Sequence, residues 1–119
     1  CAGNTVLALG SPADTFATAL LGEVCAAAEL PRGVLNLLTV RRGELLEHLA
    51  RHPDLHALHA AGCTRAERRL LEAGAAENMK RVIVRDTAGA AWRDARACES
   101  PWWIEPFVEM KTFWHPSAT

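Results

Sequence analysis

The chain has 119 residues, half of them hydrophobic, with 13 basic and 14 acidic side chains and a formal net charge of −1. This length suits one compact domain that buries about two-thirds of its unfolded surface. The balanced charge argues against nucleic acid or an anionic membrane as the main partner, and no apolar run approaches the roughly 18 residues of a membrane span. No basic segment followed by an apolar one opens the chain. Cys1, Cys25, Cys63 and Cys98 lie far apart with no Cys-x-x-Cys, which fits reduced thiols in a cytoplasmic protein better than a disulfide framework. The abrupt start at Cys1 reads as the inside of a domain, as in a fragment of a longer protein.

In chain order, residues 5–9 (TVLAL) form an apolar run between turn residues and predict a buried strand. Ser11, Pro12 and Asp14 supply helix-start signals. Phe16, Leu20, Leu21, Val24 and Ala28 then share one helical face, expected to be the buried one, with Cys25 on the same pattern. Pro31 and Gly33 end that helix. Residues 34–39 (VLNLLT) predict the second strand, and GELLEHLAR a short helix stopped by Pro53. Residues 55–61 predict a third strand, weakened by alanine and histidine. The third helix is expected over 64–76. Thr64 and Glu67 have the spacing of a capping box, and Leu70 and Leu71 give the helix its buried face. Residues 80–85 (KRVIVR) predict the fourth strand. The order βαβαβαβ predicts an α/β fold: a Rossmann-like parallel sheet with right-handed crossovers and helices on both faces.

This α/β unit spans 1–85. Residues 86–100 read as a small, polar connector, and 101–119 as an aromatic tail with three of the four tryptophans. The alternation of 107–114 predicts a C-terminal strand able to pair in trans with another sheet edge. Trp102, Trp103, Phe107, Val108, Met110, Phe113 and Trp114 are the candidate interface. The expected partner is protein, either a second copy in a homodimer or another domain of the parent chain.

The candidate chemistry is sparse. Gly62, Cys63 and Thr64 stand where a strand, a tight turn and a helix start often hold a phosphate, helped by Arg65. The same residues are explained by the helix cap alone, and Glu67 opposes an anion. His48, His52, His56 and His59 invite a metal reading, but Pro53 breaks any helix through them. His56 and His59 also point to opposite faces of a strand, so no metal site is expected. Arg41, Arg42, Arg65, Arg68 and Arg69 interleave with glutamates and read as a solvated face. Cys98 has no positioned base, so no catalytic residue is assigned, and an unrecognised Cys98 enzyme is kept only as a rival.

Several segments carry a resemblance. AGNTVLAL followed by SP, LPRGVLNLLT, HPDLHALHAAGCT and KRVIV occur in the order and spacing of the cofactor-binding portion of NAD(P)-dependent aldehyde dehydrogenases. PFVEMKTFW resembles that family's C-terminal strand, which serves there in subunit assembly. The similarity covers nearly all the chain outside 86–100. It points within the family to the degenerate C-terminal half of the aldehyde dehydrogenase 16 group.

The departures from the family pattern are as informative. Leu9 stands where the family has a ribose-binding lysine, and Pro12 where an acid often shares that ribose. Val40, Arg41 and Arg42 replace a glycine-bearing turn. Ala60, Ala61, Gly62 and Cys63 replace a phenylalanine-threonine-glycine-serine turn. The family's ELGGK-like segment becomes RDTAG, with Arg85 in place of the glutamate base, and an arginine accepts no proton at neutral pH. About 15 residues join parts that the family separates by a whole catalytic domain and its cysteine nucleophile. The resemblance therefore implies a non-catalytic pseudo-domain for assembly or docking, with no cofactor and at best a vestigial site at Gly62, Cys63 and Thr64. NAD or NADP enters only if the pocket is retained, as in the alternative of a surviving NAD(P)-binding module.

Overall fold

The computed structural model describes residues 2–86 and 91–115. Strand β1 (Val6–Gly10) leads through a 3-10 turn (Pro12–Asp14) into helix α1 (Thr15–Ala27), then β2 (Leu35–Thr39), α2 (Arg42–Arg51), β3 (Ala57–Ala61), α3 (Arg65–Asn78) and β4 (Arg81–Arg85). The βαβαβαβ order follows the apolar periodicity, and outside α1, which starts and ends three or more residues inside its sequence signals, each boundary lies within two residues of its signal. The strands make two parallel pairs instead of one continuous sheet. β1 pairs with β2 from Val6 opposite Leu35, and β3 pairs with β4 from Ala57 opposite Arg81. β1 and β3 do not bond to each other; a cavity of about 1440 Å³ is lined by residues of both.

The core lies between α2 and α3. Leu46, Ala50, Leu71 and Ala75 are buried, with Leu71 only 1% exposed. Leu58, Ala60, Val82 and Val84 of β3 and β4 pack against this cluster. Gly74 lets the two helices approach closely, since a Cβ there would stand 2.7 Å from the Ala50 Cβ. The C-terminal carbonyls of α2, which no intrahelical N–H reaches, are taken up from the end of α3 and the link between α3 and β4. The Lys80 ammonium donates to Leu49 O at 3.0 Å and His52 O at 2.7 Å, and Asn78 Nδ2 donates to Arg51 O and His52 O. Burial holds the Lys80 pKa below its ordinary value, yet both carbonyls favour its charge.

Helix α1 reverses the expectation for its faces. Asp14 caps it by accepting from Ala17 N at 3.2 Å, while Ser11 caps the preceding 3-10 turn. The half-buried face is Thr18, Gly22 and Cys25, spaced i, i+4, i+7. Gly10 and Gly22 bring strand and helix close enough that a Cβ on Gly10 would collide with the Thr18 hydroxyl. Phe16, Leu20, Leu21 and Val24 point outward instead, Phe16 being 77% exposed. The small side chains win the sheet because close backbone approach excludes large ones; the apolar stripe is real, but it stands exposed among the described residues.

Among the described residues before Leu46, none is fully buried. The accessible surface is 9601 Å², against about 6,300 Å² for a compact monomer of this mass. About half of the unfolded surface is buried, short of the two-thirds expected from length. The radius of gyration, 17.0 Å, likewise exceeds the roughly 13.5 Å of a compact chain this long.

Candidate functional site

The crevice of an open α/β fold lies beyond the carboxyl ends of its strands. Here a cavity of about 420 Å³ is lined by Leu9, Gly10, Ser11, Pro12, Val40, Arg42 and Glu67. β3 delivers the chain to Gly62, whose φ of 58° turns it into α3. Thr64 then closes the predicted capping box. Its hydroxyl accepts from Glu67 N at 3.2 Å, and the Glu67 carboxylate accepts from Thr64 N at 2.8 Å. Two of the N–H donors at the start of α3, those of Thr64 and Glu67, are thus engaged by the chain itself.

Arg42, at the start of α2, completes this closure. Its Nε and Nη2 both donate to the Glu67 carboxylate at 3.0 Å, Nη1 donates to Ala61 O at 2.9 Å, and Nη2 to Gly62 O at 3.0 Å. The fork geometry of guanidinium suits this bidentate pairing and leaves few donors for a ligand. The Glu67 pKa is held below its ordinary value, chiefly by the Thr64 backbone N–H and further by the Thr64 hydroxyl and the Arg42 charge, against a smaller cost of burial. A carboxylate therefore stands at the N-terminus of α3, where a bound phosphate would need positive potential. The capping box marks Glu67 in the sequence, whereas the interleaved glutamates place Arg42 on a solvated face. Only the turn folding back onto α2 reveals it as a clamp. Arg68 is also engaged, with Asp86 at 2.7 Å, whereas Arg41, Arg65 and Arg69 are exposed.

A second cluster sits at the other sequence-marked region. Arg85 stacks on Trp103 with its guanidinium 3.8 Å from the ring centre, a cation–π contact. His59 meets Trp103 and Phe107 edge-on at 5.4 and 5.8 Å, and Trp92 lies 5.4 Å from Trp103. The Trp103 indole N–H donates to Ala97 O. Desolvation and then the Arg85 charge lower the His59 pKa. The aromatic tail is therefore divided. Trp103, Phe107 and Val108 are half-buried against their own chain, and Arg81 ties the tail down through Val108 O and Glu109. Trp102, Met110, Phe113 and Trp114 are exposed, Met110 at 94% and Trp114 at 91%.

The expected C-terminal strand does not form among the described residues. Residues 105–107 make a 3-10 turn instead, and 108–115 have no ladder partner. An alternating segment becomes a strand only when an edge is offered. The connector carries helix α4 (Ala95–Cys98), capped by Asp94. Residues 87–89 of the RDTAG segment lie outside the described residues, as does Cys1. Cys98 is half-buried, its thiol 3.6 Å from Trp92 O. His48, His52, His56 and His59 are separately exposed, and no group of three or more potential ligands gathers among the described residues. No helix among them is long and apolar enough to cross a membrane.

Residues 1–90 match the sequence profile of the aldehyde dehydrogenase family. The NADP/NAD-dependent aldehyde dehydrogenase PuuC of Escherichia coli is 37% identical over 81 residues, 68% of this chain and 16% of the relative. The D-glyceraldehyde dehydrogenase (NADP(+)) of Picrophilus torridus is 33% identical over 111 residues, 87% of this chain and 22% of the relative. The aminoacetaldehyde dehydrogenase of Pseudomonas aeruginosa is 31% identical over 83 residues, 70% and 17% of the two chains. The chain spans less than a quarter of the length of these relatives. No solved structure matches it.

Proposed function

We propose that this chain, which belongs to the aldehyde dehydrogenase family, is a non-catalytic, aldehyde-dehydrogenase-like pseudo-domain that works in subunit assembly. Two of the relatives carry NAD or NADP in their names, so the first question is whether a dinucleotide fits. What speaks against it is the Arg42–Glu67 clamp. Thr64 N and the Arg42 fork are spent on Glu67, and that carboxylate lines the crevice. Breaking a bidentate pair to admit a dianion beside a carboxylate is costly. Leu9 and Pro12 line the same crevice and offer no side-chain group to a ribose hydroxyl.

Assembly is supported by what the chain leaves uncovered: the α1 stripe and the distal tail. Isothermal titration of the full chain with NAD and with NADP tests the pocket, and no heat above dilution is expected. A clear sub-millimolar isotherm would overturn the pseudo-domain reading in favour of a retained NAD(P)-binding module, for which the preserved turn at Gly62 and the capped α3 provide the frame.

A further inference from the structure

The β3–β4 pair has two faces, and only one of them lies on the α2–α3 core. Leu58, Ala60, Val82 and Val84 pack against that core. The alternate residues, His59 on β3 with Arg81, Ile83 and Arg85 on β4, therefore face away from it. Residues 92–109 cover this second face. Arg85 stacks on Trp103, His59 meets Trp103 and Phe107, and Arg81 donates to Val108 O at 3.4 Å and to Glu109 at 3.2 Å. We propose that His59 is a proton-sensitive latch for this cover: protonation of its imidazole releases residues 92–109 from the outer face of β3–β4, while the α2–α3 core stays folded.

The cover can leave as a unit. No strand ladder joins it to the sheet among the described residues. Its own turns are closed internally: Asp94 caps α4, Ser100 caps the turn over Pro101–Trp103, and the Trp103 indole N–H donates to Ala97 O. Besides the contacts above, Asn4 Nδ2 donates to Phe107 O at 2.9 Å. None of these contacts involves Leu46, Ala50 or Leu71, so breaking them leaves the buried cluster in place.

Charge sets the direction. In the parallel register His59 stands opposite Ile83, between Arg81 and Arg85. Glu109 compensates Arg81. Arg85 has no ion pair among the described residues, and its Nε is buried without a hydrogen-bond partner. The cover's other charged side chains, Arg93, Asp94, Arg96, Glu99, Glu105 and Lys111, are exposed, where solvent and salt screen them. Its thiol, Cys98, lies at Trp92 O. A proton on His59 thus sets a second cation beside the ring that Arg85 already occupies. An imidazolium is attracted to an aromatic face, but burial and then repulsion by Arg85 outweigh that attraction and hold the His59 pKa down. Release returns the imidazole to solvent and to its ordinary 6.5. The cover is therefore held fully above pH 6.5 and loosens as pH falls from there through the lower, docked value.

Solution NMR of the full chain tests the latch. At about pH 7.5, Overhauser contacts from the Trp103 ring to the Arg85 side chain are expected, and by about pH 5 they should lose most of their intensity. Contacts among Leu46, Ala50 and Leu71 should persist throughout. The loss should follow the titration of the His59 Cε1 proton. His59→Phe keeps a ring but takes up no proton, so it should hold the Arg85–Trp103 contact at both pH values. A contact that survives acid in the unaltered chain overturns the proposal, as do core contacts that vanish together with the cover. Release that persists in His59→Phe, or that follows another group such as His115, overturns it as well. If His59→Phe does not fold, the unaltered chain decides alone, and a mismatch between release and the His59 titration refutes the latch.

Discussion

Gly74 offers the sharpest test of the packing. In an exposed helix interior, Gly→Ala stabilises by up to about 1 kcal/mol, because alanine loses less backbone freedom on folding. At Gly74 the added methyl would stand 2.7 Å from the Ala50 Cβ and 2.9 Å from both its carbonyl carbon and oxygen. Two of those three atoms are backbone, so no rotamer change relieves the contact and α2 itself must move. Overpacking of this kind costs about 1–3 kcal/mol, and separating α2 from α3 also loosens the contacts of Leu46 and Leu71. The clash outweighs the propensity gain, and Gly74→Ala should destabilise by about 1–2 kcal/mol. With a urea slope of about 1–3 kcal/mol per molar, the midpoint should fall by roughly 0.5–1 M. Gly43→Ala is the internal control. It lies in α2 with nothing within 4 Å of the added methyl, so its midpoint should hold or rise. Urea titration followed by tryptophan fluorescence reads both. If Gly74→Ala matches Gly43→Ala, the α2–α3 contact described above is wrong.

Two further predictions bear on the closed crevice and the aromatic cluster. Thr64→Ala removes the hydroxyl from the capping box and should cost about 0.5–2 kcal/mol in the same urea assay; no change would mean that Glu67 and Arg42 hold the turn without it. Acidification should destabilise in two steps. His59 has its folded pKa below the ordinary 6.5, so the unfolded chain takes up the proton first and stability falls as pH drops below 6.5 towards the folded value. Glu67, also lowered, keeps its contribution above its ordinary 4.5 and loses it as pH falls through its depressed folded pKa. The urea midpoint measured across pH should lose the upper step in His59→Gln; a profile unchanged by that substitution would refute the assignment.

The βα rhythm was legible because strand and helix carry different periods, and the α3 start because a capping box is a local signal. The sidedness of α1 was not. Period 3.6 finds an apolar stripe, but Thr18, Gly22 and Cys25 make an equally regular small stripe. Which one meets the sheet is decided by the closeness of Gly10, a tertiary fact. The clamp was hidden for a similar reason. Arg42 and Glu67 are 25 residues apart, and each had a satisfactory local explanation. The tail misled in one respect: alternation reports a segment able to join a ladder, and the ladder edge must come from elsewhere in space.

These features place stability and recognition in different parts of the chain. From Arg42 to Arg85 the molecule holds its buried residues, the Lys80 and Asn78 caps on α2 and the Arg42 clamp. The β1–α1–β2 part has no fully buried described residue and leans on a face of small side chains. Burying Phe16, Leu20 and Val24 under a partner would add about 1.5–3 kcal/mol for each side chain fully covered. That gain falls on the part with the least core of its own. A partner on α1 would therefore raise the protection of β1, α1 and β2 amides against hydrogen exchange more than that of α2 and α3. A partner seated on this face would supply the weaker half with apolar burial that its described residues lack.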